Sequence, residues 1–158
     1  PNNTWWSNFK GDFREGEPIR LADRPSKPLQ LTMEVLDQVL ADAPADSSRI
    51  YITGLSMGGF GTWDAIARWP ERFAAALPVC GGGDPTTAGR IAGVPIWAIH
   101  GADDPIVPPE LSRQMIQALR DAGANPGYTE YPSVGHYSWV HSYSDPRVMS
   151  WMFSQRKQ

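Results

Sequence analysis

The chain has 158 residues, 41% apolar and 20% charged, with 14 basic against 17 acidic side chains and a formal net charge of −3. That balance argues against a nucleic-acid or anionic-membrane footprint, and the length suffices for one domain with a sizeable core. Its 15 glycines and 15 prolines stay below the combined share of roughly 25–30% that marks low-complexity chains, so a folded domain rich in tight turns is expected.

A single cysteine, Cys80, excludes an internal disulfide. No apolar run approaches the roughly 18 residues of a membrane span, and residues 1–4 lack the basic start and apolar stretch of a signal peptide. The opening on Pro1 rather than methionine reads as a piece of a longer or processed chain.

In chain order, residues 1–27 mix Trp5, Trp6, Phe9 and Phe13 with Asn, Ser, Gly and charges, follow no period, and read as a surface loop or lid. Leu29, Met33, Leu36, Val39 and Leu40 recur at helical steps and predict an amphipathic helix ended near Pro44. Arg49-Ile50-Tyr51-Ile52-Thr53 predicts a strand stopped by Gly54. After Gly58-Gly59, residues Phe60, Trp63, Ile66 and Ala67 resume the helical period until Pro70. Residues 73–80 and 94–99 are near-continuous apolar runs, as expected of strands buried on both faces of a parallel sheet. Leu111, Met115, Ile116 and Leu119 predict another helix, residues 127–131 a strand, and Val148, Met149, Met152 and Phe153 a last helix. Strands alternating with helices imply βαβ crossovers and an open α/β sheet in one domain, with no internal repeat.

The strongest chemical signal is Gly54-Leu55-Ser56-Met57-Gly58 between a predicted strand and a predicted helix. A serine hydroxyl is a poor nucleophile unless it stands exposed beside a base. The G-x-S-x-G turn exposes it by a sharp bend that flanking glycines allow. The following helix aims its positive dipole end at Ser56, and the Met57 N–H is the expected oxyanion donor. A glycine-rich turn that merely packs strand on helix is the competing reading, and the downstream residues decide between them.

A hydrolase of this topology needs a carboxylate and then a histidine on later strand ends. His100-Gly101-Ala102-Asp103-Asp104-Pro105 supplies two carboxylates, between which position alone does not choose. Pro132-Ser133-Val134-Gly135-His136 follows the next strand and places His136 where the general base belongs. Of the other two histidines, His100 reads as structural or pocket-floor, and His141 lacks a preceding strand end.

The segment Arg49 through Trp63, with its Gly54-Leu55-Ser56-Met57-Gly58-Gly59-Phe60-Gly61 core, resembles the elbow of α/β-hydrolase serine esterases. The branch it resembles includes feruloyl esterase-like, polyhydroxybutyrate depolymerase-like and prolyl oligopeptidase-like carboxylesterases. His100-Gly101-Ala102-Asp103-Asp104-Pro105-Ile106-Val107-Pro108 looks like that branch's acid loop, which assigns the catalytic aspartate to Asp104. Gly135-His136-Tyr137-Ser138-Trp139 looks like its histidine loop, which assigns the base to His136 and sets Trp139 near the pocket mouth as a substrate-binding residue.

The resemblance runs from about Trp5 to Phe153. It implies a three-layer αβα sandwich of the α/β-hydrolase type with a mostly parallel sheet. Because members carry further strands before this point, the chain reads as the C-terminal portion of a catalytic domain that lacks the N-terminal strands and the loop donating a second oxyanion amide. A preceding segment or a second copy in a homodimer is expected to complete it. The implied function is hydrolysis of short-acyl or hydroxycinnamoyl carboxylic esters, small or polysaccharide-linked, through an acyl-enzyme on a Ser-Asp-His triad. The alternatives are a prolyl oligopeptidase-like peptidase and a non-catalytic interaction module. The branch points to a bacterial secreted or periplasmic enzyme.

The remaining motifs carry less chemistry. No cofactor is required, and no Cys or His spacing suits a metal. Gly81-Gly82-Gly83-Asp84 lacks the Lys and Ser/Thr of a phosphate loop, Cys80 reads as a small core residue, and Trp6 and Trp151 read as packing.

Overall fold

The computed structural model describes residues 6–157; Trp5 lies outside them. Its centre is a parallel sheet of four strands, β3 (Tyr51–Leu55), β4 (Ala75–Val79), β5 (Trp97–Gly101) and β6 (Gly127–Tyr131), lying side by side in chain order. Such a steady progression puts the crossover helices on one face. These are α2 (Met57–Arg68), α3 (Ala88–Ile91) and α4 (Glu110–Asp121), joined there by α1 (Lys27–Asp42). Their side chains Leu29, Met33, Trp63, Ile66, Ile91, Met115 and Leu119 form one buried cluster with Ala76 and Ala98 of the sheet. Ala75, Leu77, Val79 and Ile99 point the other way and meet Val148 and Met152 of α6 (Pro146–Ser154), which α5 (Trp139–Ser144) precedes. The result is the αβα sandwich expected of an α/β-hydrolase fold.

Local chemistry sets the element ends. Ser26 caps α1 by accepting the Leu29 N–H at 3.2 Å, with Pro28 in the first turn. Asp145 caps α6 through the Arg147 N–H at 2.8 Å, again with a proline next. The β4–β5 pairing is thin, reduced to Ala76 opposite Ile96 and Val79 opposite Ile99. Its cause is Pro78. The N–H groups of Ala76 and Cys80 both donate toward the β5 side, to Pro95 O at 2.9 Å and Ile99 O at 2.8 Å. Residue 78 lies between them in the same alternation and has no N–H to give.

The segment before α1 is mostly irregular, with a short antiparallel ladder between β1 (Phe9–Lys10) and β2 (Arg20–Leu21). Phe9, Phe13 and Ile19 pack on Phe60 of α2. Two buried carboxylates of the body hold this arm by its main chain: Asp64 accepts the Asn8 N–H at 2.6 Å and Asp84 accepts the Leu21 N–H at 2.8 Å. Arg68 pairs with Asp64 and also donates to Ala22 O at 2.9 Å.

Candidate active site

Ser56 occupies the single-residue turn between β3 and α2, at φ 53° and ψ −116°. This left-handed backbone is costly for a non-glycine residue, by about 1–3 kcal/mol, and persists because its surroundings over-determine it. The Ser56 N–H is shared between Val79 O at 3.0 Å and Cys80 Sγ at 3.3 Å, and the Ser56 carbonyl accepts the Phe60 N–H at 3.1 Å. Contact explains Gly54, where a Cβ would fall 2.3 Å from the Gly58 carbonyl oxygen, whereas a Cβ on Gly58 would meet nothing within 4 Å. Met57 is the first residue of α2, so its N–H has no intrahelical acceptor and is available beside the serine hydroxyl.

The acid loop leaves β5 at Gly101 and turns back at once. Asp104 is buried, whereas Asp103 is exposed. Asp104 Oδ1 accepts the N–H groups of Ile106 at 2.9 Å and Val107 at 3.0 Å. Its Oδ2 lies 2.7 Å from His136 Nδ1, and His136 Nε2 lies 2.9 Å from Ser56 Oγ. A carboxylate has no hydrogen to give at Nδ1, so that nitrogen carries the proton. Nε2 is then bare and oriented to accept the serine hydroxyl. Burial would push the Asp104 carboxyl up, but the Val107 N–H, His136 and the Ile106 N–H outweigh it and hold its pKa below the ordinary value.

The acid and base loops are sewn together by their backbones. Asp103 N–H donates to Val134 O and Ala102 N–H to Tyr131 O, both at 3.0 Å. A Cβ on Gly101 would meet Gly135 O at 2.2 Å and Val134 O at 2.3 Å.

The structure thus brings Ser56, Asp104 and His136 into one hydrogen-bonded line, with Met57 adjoining. Trp139, half-buried at the start of α5, sets its ring edge-on to His136 at 5.3 Å, and Tyr137 joins them at 5.0 Å from Trp139. The segments that carry these residues also expose apolar side chains: Leu55 and Met57 on the elbow, Ile106 on the acid loop, Tyr137 and Val140 after His136. His141 is exposed and takes no part.

Two participants escape the sequence reading. Cys80 is buried as expected, and at φ 41° its thiol lies 3.3 Å from the Ser56 amide nitrogen. His100 is fully buried and hydrogen-bonded, in keeping with the structural reading, and its place beside Asp104 is the part not anticipated. The Cys80 contact joins the ends of β3 and β4, whereas His100 meets Asp104 four residues on from the same strand end.

Cys80, Asp104 and His136 form the one group among the described residues whose ligating atoms lie within 4.8 Å of one another. The donor set fits a cation poorly. Asp104 is already bonded on both oxygens and His136 on both nitrogens, and burial pushes the Cys80 thiol up to about 11.

Comparison with known proteins gives a consistent picture. The dienelactone hydrolase family matches residues 21–147. A Salmonella typhimurium relative, named provisionally as a carboxymethylenebutenolidase, is 31% identical over 144 residues, covering 78% of this chain and 53% of its own length. Carboxylesterase SOBER1 of Arabidopsis thaliana is 27% identical over 143 residues, covering 84% and 60%. The crystal structure of a thermostable esterase superposes with a TM-score of 0.82 at 44% identity, over 84% of this chain and 38% of that one. The chain spans about half the length of the first of these relatives.

Proposed function

Because the chain belongs to the dienelactone hydrolase family, within the α/β-hydrolase fold, we propose that it hydrolyses carboxylic esters through an acyl-enzyme on Ser56. The observation that carries the reading is the unbroken line from Ser56 Oγ through His136 to Asp104, at 2.9 and 2.7 Å. Ser56 Oγ attacks the acyl carbon while His136 Nε2 takes its proton, and the Met57 N–H and the start of α2 stabilise the oxyanion. The imidazolium returns that proton to the departing alkoxide. A water, deprotonated by the same nitrogen, then attacks the acyl carbon, and Ser56 leaves with the proton as the acid is freed. Asp104 keeps the imidazole in the productive tautomer.

The substrates proposed are short-acyl or hydroxycinnamoyl esters. Trp139 and Tyr137 beside His136, with exposed apolar side chains at Met57 and Ile106 on the neighbouring segments, support an apolar or aromatic ester group seated there.

The test is intact-mass analysis after brief exposure to a fluorophosphonate, which adds appreciably only to an activated serine. One adduct per chain, lost in Ser56→Ala and His136→Ala, is expected, together with hydrolysis of small activated esters. A folded chain that takes no adduct, or a Ser56→Ala variant that keeps it, overturns the reading.

A further inference from the structure

His100 is fully buried at the end of β5, one residue before the acid loop begins. Its Nε2 faces Val107 O at 3.0 Å and Asp104 Oδ2 at 3.3 Å. Neither oxygen has a hydrogen to offer, so Nε2 carries one. Its Nδ1 lies 2.7 Å from Ser112 Oγ on α4. In the neutral ring Nδ1 is bare, and Ser112 must donate to it. The competing acceptor for that hydroxyl is Gly81 O at 3.0 Å. Burial favours the neutral ring by pushing its pKa below the ordinary value, against the pull of the Val107 carbonyl and Asp104.

The charged and titratable groups that bear on this pair come from several elements. They are Asp104 itself, Glu130 of β6 with its partner Arg113 of α4, His136 on the far loop, and the Cys80 thiol after β4.

We propose that His100 is a positioning residue for the acid–base pair: its Nε2–H, fixed in that tautomer by Ser112, holds the acid loop at the Val107 carbonyl and at Asp104 Oδ2. The inference rests on the reading of Asp104 and His136 given above. The clamp acts on Asp104 twice. It sets a second imidazole N–H 3.3 Å from the oxygen that His136 uses, and it hydrogen-bonds the carbonyl of the residue whose own N–H bonds Asp104 Oδ1 at 3.0 Å. A carboxylate that loses a donor concentrates its charge on the donors that remain. Without the His100 N–H, His136 therefore binds its proton more tightly.

The experiment follows the three histidines of the isotope-labelled chain by NMR as the pH is varied. His136 is assigned by its loss in His136→Ala. In His100→Leu the proton affinity of His136 rises about threefold or more, kcat for an activated ester falls, and KM stays within about twofold. In His100→Gln the side-chain amide offers an N–H near the Nε2 position and restores both. Ser112→Ala frees the tautomer and moves His136 the same way by less.

A folded His100→Leu with an unmoved His136 titration overturns the proposal, as does a His100→Gln that behaves like His100→Leu. If His100→Leu does not fold, Ser112→Ala decides, and an unmoved His136 there overturns it. The NMR arm needs no turnover. A chain that takes no fluorophosphonate adduct therefore refutes the ester-hydrolase reading while the His100 clamp is still judged on its own result.

Discussion

Gly101→Ala isolates the contact between the acid and base loops. The added Cβ would lie 2.2 Å from Gly135 O and 2.3 Å from Val134 O, both main-chain atoms that no rotamer change can move. Relief to an ordinary carbon–oxygen contact requires the loops to part by about 1 Å, a displacement that can cost on the order of 10²-fold in rate. A gap of that size takes the 2.7 Å His136–Asp104 bond out of hydrogen-bonding reach, one residue beyond the clash. Stability is expected to fall by about 1–3 kcal/mol, as for other forced overpacking. The assay is the rate of fluorophosphonate labelling by intact mass, with a thermal melt to show that the variant is folded. Gly89→Ala is the control, because a Cβ there meets nothing within 4 Å. It should label normally and gain up to about 1 kcal/mol from the better helix former. A folded Gly101→Ala that labels within about threefold of the unmodified chain would refute the claim that backbone contact sets the position of His136.

Asp64→Ala removes the fully buried partner of the half-buried Arg68, together with the acceptor of the Asn8 N–H, and should cost about 3 kcal/mol by urea unfolding; a loss under about 1 kcal/mol would count against the pair's role. Burial holds the His100 pKa below its ordinary value, so the unfolded chain binds a proton that the native chain refuses. Stability is then complete above about pH 6.5 and falls as the pH drops below it, by at most about 1.4 kcal/mol per pH unit, a slope that His100→Gln should flatten. Asp104, whose pKa is lowered in the fold, adds a separate loss only below the ordinary 3.8. With its thiol pushed up to about 11 from 9.0, Cys80 holds roughly 100-fold less thiolate than an ordinary cysteine. Ellman's reagent at pH 8 should leave the native chain untouched and titrate one thiol in denaturant.

Much of the fold is legible in the periodicities, and the departures have local causes. The strand predicted from Arg49 begins instead at Tyr51, because a 3₁₀ turn over Ser47–Arg49, capped by Asp46, takes the arginine. It runs on through Gly54 and Leu55 because Ser56 alone makes the bend, and for the same reason α2 starts at Met57 rather than after the glycine pair. The short helices α3 and α5 span 4 and 6 residues, too few to show a period, and depend on packing for their stability. At the site, the order of the serine, carboxylate and histidine loops was readable from strand ends. Position did not choose between Asp103 and Asp104, since adjacent carboxylates differ only in which one the loop turns inward, and only the family resemblance pointed to Asp104.

The two buried aspartates that grip the amino-terminal arm both accept main-chain amides, of Asn8 and Leu21, and Asp84 also lies 3.5 Å from the Arg20 guanidinium. Every residue except proline offers that donor, so these two main-chain contacts survive side-chain substitution at Asn8 and Leu21 but not loss of Asp64 or Asp84. The arm is in effect a separable unit, held by these polar contacts and by its aromatic packing on Phe60. Local opening there would release both amides and the Phe9 and Phe13 contacts together while the sheet stays intact. Native-state hydrogen exchange would register this as one shared opening event, well below the free energy of global unfolding.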